Sequence, residues 1–216
     1  MLTVETLNTV LRSIYVSGVA TLLSLTWSIP ASYYLALKGR SRLLETIVET
    51  LVGMPTVLLG LLLYFILSSS GPLASLKLLY TPQAIIIGES ILVTPLIISA
   101  SYRLLKNTIR TFSELALTLG ASKTQTMFLV LRETMSGITA SAVMGFSRAI
   151  GELGVAMMVG GNISGHTRVL TTAIALGVAR GEFEEAVFLG IILLIITITI
   201  TVALKYLSKA YEEWYA

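Results

Sequence analysis

The stretch Val187-Phe-Leu-Gly-Ile-Ile-Leu-Leu-Ile-Ile-Thr-Ile-Thr-Ile-Thr-Val-Ala-Leu204 contains no charged residue. The hydrocarbon core of a bilayer is about 30 Å thick, and a helix needs roughly 20 apolar residues to cross it. With its neighbours on either side this stretch reaches that length, and a helix built from it is apolar on every face. It therefore predicts a membrane-spanning helix over about residues 184–207.

Four further segments are long and apolar enough to span. They cover about residues 13–37, 46–68, 83–102 and 135–160. Pro30, Pro55 and Pro95 lie inside the first three. Membrane helices accept Pro where neighbouring groups satisfy the freed carbonyls, so we expect kinks there. The sequence thus predicts an all-α membrane bundle of about five spans, in a single domain over residues 1–216.

Composition excludes several classes of function. Of the 216 residues 55% are hydrophobic and 12% are charged, about half the roughly 25% that a soluble domain contains. The net charge of +3 and the absence of a basic, aromatic-rich run argue against nucleic acid as a partner. There is no Cys or Asp and a single His, His166, so most metal, hydrolytic and redox sites lack their parts. We expect no enzyme, no metal site and no cofactor bound by this chain.

Basic residues lie mostly in alternate connections. On one side they number ten and on the other four. The ten are Lys38, Arg40, Arg42, Arg103, Lys106, Arg110, Lys123, Arg132, Lys205 and Lys209. The four are Arg12, Lys77, Arg168 and Arg180. By the positive-inside rule we expect the N-terminus outside and the C-terminus in the cytoplasm. Because Met1–Thr9 has no basic cluster and the apolar run after it is long, we expect a first span rather than a cleaved signal peptide.

Two connections have structure of their own. The inner one covers about residues 103–134, and the outer one lies between the fourth and fifth spans. Inside the outer one Thr167–Ala179 is apolar, but as a helix it is only about 20 Å long. We interpret it as a re-entrant or interfacial helix, capped by Thr167 at its start and followed by Gly181. A sixth span is the alternative, and it would place the C-terminal Lys residues outside.

The inner connection contains Ser113-Glu-Leu-Ala-Leu-Thr-Leu-Gly120 followed by Ala121-Ser122. These residues predict a short helix capped by Ser113, with Glu114 in its first turn, where a negative charge suits the helix dipole. Gly120 fits a turn with positive φ before a second helix. The apolar side chains of this first helix could enter a groove of another protein; they are Leu115, Ala116 and Leu119. An ordinary solvated connector is the alternative.

The pattern Glu114-x-Ala116-x-x-x-Gly120-Ala-Ser122 resembles the EAA signature of permease subunits of ATP-binding-cassette importers. The stretch Met144-Gly-Phe-Ser-Arg-Ala-Ile-Gly-Glu-Leu-Gly154 is similar to the permeases for molybdate, sulfate and related oxyanions. The stretches Val130–Glu133, Met157–Ile163 and Gly165–Ile174 resemble the tungstate branch of that group. One departure is Leu115, which stands at the first Ala of the signature.

This resemblance implies a fold, partners and a cargo. The fold is the type I permease of ATP-binding-cassette importers, paired as a homodimer in the cytoplasmic membrane. Two ATPase subunits would bind ATP and Mg and receive the coupling loop, and an extracytoplasmic binding protein would deliver the anion. The implied cargo is tungstate, then molybdate, then sulfate. The alternative is a proton-coupled secondary transporter that uses Glu89 or Glu152, although the sequence shows no inverted repeat.

Charged residues inside the spans are candidates for the pathway. Arg148 and Glu152 are four residues apart and thus within reach on one helix face, next to Ser147. They form either a structural ion pair or a source of positive potential for an oxyanion. Glu89 in the third span is either a proton relay or a structural hydrogen-bonding group.

A polar cluster follows the fourth span. It consists of Asn162, Ser164, His166, Thr167 and Arg168. We interpret it either as a solvated loop or as an outer vestibule where the binding protein docks.

Overall fold

The computed structural model describes residues 4–38 and 42–215. Arg40, counted above among the inner basic residues, lies outside these ranges. So do the side chains of Arg42 and Lys209.

Throughout the described ranges the regular structure is helical, which confirms the predicted all-α class. A 3₁₀ turn at Ala74–Leu76 precedes the fourth helix. The helices are α1 (Val4–Lys38), α2 (Arg42–Val52), α3 (Thr56–Leu67), α4 (Pro82–Thr118), α5 (Lys123–Glu133), α6 (Met135–Ile150), α7 (Gly154–Gly160), α8 (Leu170–Arg180) and α9 (Phe183–Tyr215).

Among the described residues, α1, α4 and the Phe183–Tyr206 part of α9 are long and apolar enough to cross a membrane. Two bent pairs, α2–α3 and α6–α7, reach that length together, so the number of spans is three to five. The prediction of about five spans corresponds to counting each bent pair as one. α8 has 11 residues, about 16 Å of helix, which is too short to cross.

The second apolar segment is not one kinked helix. α2 and α3 meet at 95° across a break after Val52. Pro55 lies at the start of α3, where the missing N–H of Pro costs no hydrogen bond, because the first amides of a helix have no partner within it. Its carbonyl accepts from the amides of Leu58 and Leu59. The break is therefore sharper than the expected kink. The fourth segment is also broken, by 59° between α6 and α7.

The inner connection differs most from its prediction. α4 continues without interruption from Pro82 to Thr118, so residues 103–118 belong to it rather than to a loop. The prediction that a separate helix begins at Ser113 is wrong, because no Gly or Pro interrupts residues 96–113 and α4 continues through them. Gly120 does adopt the predicted positive φ, at 86°.

Small and hydroxyl side chains form the buried face of α1, which packs most extensively on α4. Its buried residues are Thr9, Ser13, Val16, Ser17, Ala20, Thr21, Ser24, Ser28, Ser32 and Ala36. The oxygens of the Ser24 and Thr94 hydroxyls are 2.9 Å apart, and the Ser32 hydroxyl donates to the carbonyl of Ile98. Because later residues of α1 meet later residues of α4, the two helices run parallel. Because the buried face of α1 has almost no large side chains, the two backbones approach closely, as in membrane helices where small residues meet.

Glycines allow the remaining helices to approach α4 and each other. A Cβ on Gly88 of α4 would lie 2.4 Å from Cγ1 of Val155 in α7. One on Gly145 of α6 would lie 2.9 Å from Ile97. One turn before Gly145, the Ser141 hydroxyl oxygen is 2.9 Å from that of Ser101 in α4, and both side chains are buried. We call the end of the bundle where α1 begins the top and the end where α1 finishes the bottom.

We predict that Gly88→Ala lowers the thermal stability of the purified protein in detergent. The new methyl group would overlap Val155, a buried side chain, and overpacking a tight contact costs about 1–3 kcal/mol. The matched control is Gly190→Ala in α9, where nothing lies within 4 Å of the new Cβ. Heating followed by gel filtration measures both; equal loss of the monodisperse peak in the two variants would contradict the prediction.

Candidate coupling surface and translocation site

The bottom end of α4 presents an exposed apolar surface, which we call the coupling surface (residues 113–121). Leu115 is 56% exposed and Leu119 is 79% exposed. Both side chains lie on one face because they are four residues apart. Ala116, expected to share this face, is buried against the chain's own helices instead. The exposed Glu114 and the half-buried Ser113 and Ala121 complete the surface.

Local hydrogen bonds fix the turn that ends this surface. The amides of Gly120 and Ala121 donate to the carbonyls of Leu117 and Ala116, which closes α4. Ser122 and Gln125 then form a capping box, in which each side chain accepts from the other residue's amide. The turn between α4 and α5 is therefore short and well defined. This is the helix–Gly–helix shape that the sequence predicts.

α5 packs back against the bundle and holds the coupling surface in place. Val130 of α5 is buried in a cluster with Tyr102 and Leu105 of α4 and Ala36 of α1. Phe128, on the same helix, is 64% exposed.

α2 is attached to the bottom half of α4 by ion pairs that the sequence analysis did not find. Glu49 lies 2.7 Å from Arg103, and Glu45 lies 3.0 Å from Lys106 and also accepts a hydrogen bond from Tyr102. The two glutamates are four residues apart and so occupy one face of α2. That spacing was the available signal, but it does not reveal which helix they meet.

An ion pair lies at the break between α6 and α7. Nη1 of Arg148 is 2.6 Å from Oε2 of Glu152, which confirms the predicted contact. Glu152 does not share a helix face with Arg148, however, because α6 ends at Ile150 and Glu152 stands in the break itself. Its other carboxylate oxygen accepts from the amide of Val155 in the first turn of α7. The Thr171 hydroxyl of α8 donates to the Glu152 carbonyl over 2.7 Å.

The two partners differ in burial. The Glu152 side chain is 3% exposed, whereas that of Arg148 is 38% exposed. A charged group inside a membrane normally faces the bundle interior or a water-filled cavity. Ser147, the neighbour of Arg148, lies towards α9, with its hydroxyl oxygen 3.4 Å from that of Thr201.

Glu89 of α4 is buried near this ion pair. Its side chain is 2% exposed and is bonded to the Ser17 hydroxyl of α1. Oε2 of Glu89 has no hydrogen-bond partner, alone among the buried side-chain polar atoms of the described residues. The predicted structural hydrogen bond thus accounts for only part of this carboxyl group.

The outer polar cluster lies at the top, and the start of α1 completes it. Arg168 binds Glu5 at 3.0 Å and donates to the Asn162 side chain at 3.3 Å. The Ser164 hydroxyl also donates to Glu5. Arg12 donates to the carbonyls of Gly165 and Arg168. Glu5 and Arg12 could not be predicted from the sequence, because nothing local indicates that residues 5–12 meet residues 162–168.

The members of this cluster differ in burial. His166 is exposed, and its backbone amide donates to Ile163. Thr167 is fully buried, donating its hydroxyl to the Gly160 carbonyl and accepting from the Ile163 amide. The prediction that Thr167 caps the following helix is therefore wrong.

α8 instead begins at Leu170. The Thr172 hydroxyl accepts from the amide of Val169, and the Ser13 hydroxyl of α1 accepts from that of Leu170. Gly181 has a positive φ of 78° and follows the helix as predicted.

The described residues contain no group of three or more His, Cys, Asp or Glu side chains that could hold a metal ion. The candidate site is thus made of one half-exposed cation, two buried carboxyl groups and hydroxyl groups. Of these groups, the cation and the hydroxyl donors favour an anion, whereas an ionised carboxyl group repels one.

Comparison with known proteins places the chain among transport proteins. Residues 13–215 match the family described as binding-protein-dependent transport system inner membrane component. The tungstate uptake system permease protein TupB of Peptoclostridium acidaminophilum is 39% identical over 91% of this chain and 87% of its own length. A probable anion ABC transporter permease protein of Haloferax volcanii is 35% identical over 84% and 82%. The molybdenum transport system permease protein ModB of Escherichia coli is 26% identical over 96% and 92%.

The family match covers nearly the whole chain, including the coupling surface and the broken helix with its ion pair. Multi-pass membrane helices, an exposed apolar surface at one end and a half-exposed cation within the bundle fit the same assignment. The chain belongs to the family of binding-protein-dependent transport system inner membrane components and is a membrane permease subunit of an ATP-binding-cassette importer.

Proposed function

We propose that this permease imports tungstate, with molybdate as the next-best cargo and sulfate after it. The observation that carries the proposal is the 39% identity to a tungstate uptake permease over 91% of the chain. Identity to the molybdenum permease of Escherichia coli is lower, at 26%. The stretches Val130–Glu133, Met157–Ile163 and Gly165–Ile174 support the same choice.

The proposed assembly contains two copies of this chain, two ATPase subunits and one extracytoplasmic binding protein. The coupling surface is where each ATPase subunit docks, with Leu115 and Leu119 entering its groove. ATP and Mg bind to the ATPase, not to this chain. The binding protein docks on the outer polar cluster, which is accessible at the top through residues such as Ser164 and His166.

The proposed orientation places the top outside and the bottom in the cytoplasm. Its support is the excess of basic residues at the bottom, where Lys38 ends α1 and Arg103 and Lys106 lie on α4. The coupling surface lies at that same end, on the side where an ATPase has access to ATP. The C-terminus is then cytoplasmic.

In the proposed cycle, ATP binding closes the two ATPase subunits and draws the two coupling surfaces together. The pathway then opens outward and receives the anion from the binding protein. Arg148 supplies positive potential along the way, while its pairing with Glu152 at 2.6 Å prevents it from holding the anion tightly. Hydrolysis of ATP returns the pathway to its first state.

We predict that Arg148→Ala reduces anion uptake by about tenfold or more, because the positive potential is lost. Removing one partner also leaves Glu152 buried and unpaired, which destabilises the fold. The double variant Arg148→Ala/Glu152→Gln separates the two effects by removing both charges. We expect normal protein levels but low uptake from the double variant, measured in cells with protein quantified in membranes. Full uptake by either variant would remove Arg148 from the mechanism.

The proposed function is tested by reconstitution. The chain, its partner ATPase and the binding protein are placed in proteoliposomes with ATP inside. We expect ATP-dependent uptake of tungstate in preference to molybdate, and of both in preference to sulfate. Uptake driven by a proton gradient and indifferent to ATPase and ATP would overturn the proposal in favour of a secondary transporter. Preference for another anion would leave the ATP-driven mechanism intact and correct the cargo.

A further inference from the structure

The Glu89 carboxyl group is incompletely bonded in a place where full bonding is the rule. It is buried in α4, yet one of its oxygens has no hydrogen-bond partner. Most buried polar atoms in native structures are paired, since an unmade bond inside a protein is costly. A natural explanation is a partner that reaches this oxygen in a different state of the molecule.

The surroundings of Glu89 identify that partner. Ser17 of α1 bonds to the carboxyl group, and the charges of Arg148 and Glu152 are near enough to act on it. Of these two charges, Arg148 is the cation and so the one that can pair with a carboxylate. Gly88, the preceding residue, packs directly on Val155 of α7, so Glu89 stands beside the break between α6 and α7.

The carboxyl groups of Glu152 and Glu89 differ in how many of their oxygens accept a hydrogen bond. Glu152 accepts from the Arg148 guanidinium and the Val155 amide through its two carboxylate oxygens. Its carbonyl accepts from Thr171. Glu89, in contrast, has one carboxyl oxygen, Oε2, without a hydrogen-bond partner. The α6–α7 break is bent by 59°, and the few residues between the ends of two elements are where a hinge absorbs changes in φ and ψ.

We propose that Glu89 is the alternative partner of Arg148, and that the guanidinium exchanges Glu152 for Glu89 when the α6–α7 break changes its bend. This inference rests on the proposed function, because an importer needs at least two states of its pathway. Glu89 is then a positioning residue that acts through Arg148. The exchange sets where along the pathway the positive charge stands in each state.

The test is a double-mutant cycle in proteoliposomes that contain the permease, its ATPase and the binding protein. We expect Glu89→Gln to lower the maximal rate of uptake about tenfold, within the range of coupling between linked sites. The concentration of binding protein needed for half-maximal uptake should not change. In an Arg148→Met background, Glu89→Gln should cause no further loss, because the partner it acts through is gone. ATP hydrolysis is measured for the same variants. We expect Glu89→Gln to lower it in the wild-type background and not in the Arg148→Met background, where anion uptake itself is too low to compare easily.

Ser90→Ala is the matched control. Ser90 is the buried neighbour of Glu89 on α4, and its hydroxyl donates to Ile87 of the same helix. We expect wild-type uptake from this variant. If Glu89→Gln fails to accumulate, Glu89→Asp is compared with Glu89→Asn. The Asn side chain has the shape of the Asp side chain without its charge. The exchange predicts higher uptake from the Asp variant.

Three results would overturn the inference: normal uptake by Glu89→Gln, an equal fold-loss with and without Arg148, or equal uptake by the Asp and Asn variants. In each of these cases the wild-type protein still transports. A wild-type protein without ATP-driven anion uptake would instead contradict the proposed function.

Discussion

Close approach of helix backbones is the constraint on which the rest of this structure depends. Lipid tails are as apolar as leucine, so membrane helices gain little from burying large apolar side chains against each other. In α1, small and hydroxyl residues form a face along the whole helix, and this face packs on the parallel helix α4. Gly88 and Gly145 extend the same principle to α7 and α6. The bundle is thus held by close packing and by hydroxyl hydrogen bonds.

That packing makes α4 the connection between the coupling surface and the Arg148–Glu152 ion pair, the two candidate functional regions. The helix contains Glu89, beside the broken helix and its ion pair, and it ends at the coupling surface. The two places are about 40 Å apart along a continuous helix. In the proposed cycle a displacement of the coupling surface therefore reaches the α6–α7 break through one continuous helix. A connection that left the membrane helix near residue 103, as the sequence predicted, would transmit far less.

Local patterns allowed part of this to be predicted. Apolar length identified the helical class, the positive φ of Gly120 and Gly181 followed from their positions after helices, and the spacing of Arg148 and Glu152 indicated their contact. The contacts of Glu5, Arg12 and Glu45 join segments distant in sequence, so no local signal located them. The 95° angle before α3 also had no local signal, since Pro55 indicates a break in the helix but not its angle. The functional assignment came from motif resemblance, since composition alone indicated only a membrane protein.

The central claim is that the surface around Leu119 and Gly120 receives the ATPase, and site-specific cross-linking tests it most directly. The chain has no Cys, so Leu119→Cys introduces a single thiol at an exposed position, and Leu7→Cys introduces one at the top. A thiol–amine cross-linker of short span is added to the reconstituted complex. The account predicts a cross-link from residue 119 to the ATPase, strengthened by ATP, and none from residue 7. A cross-link from residue 7 without one from residue 119 would contradict it.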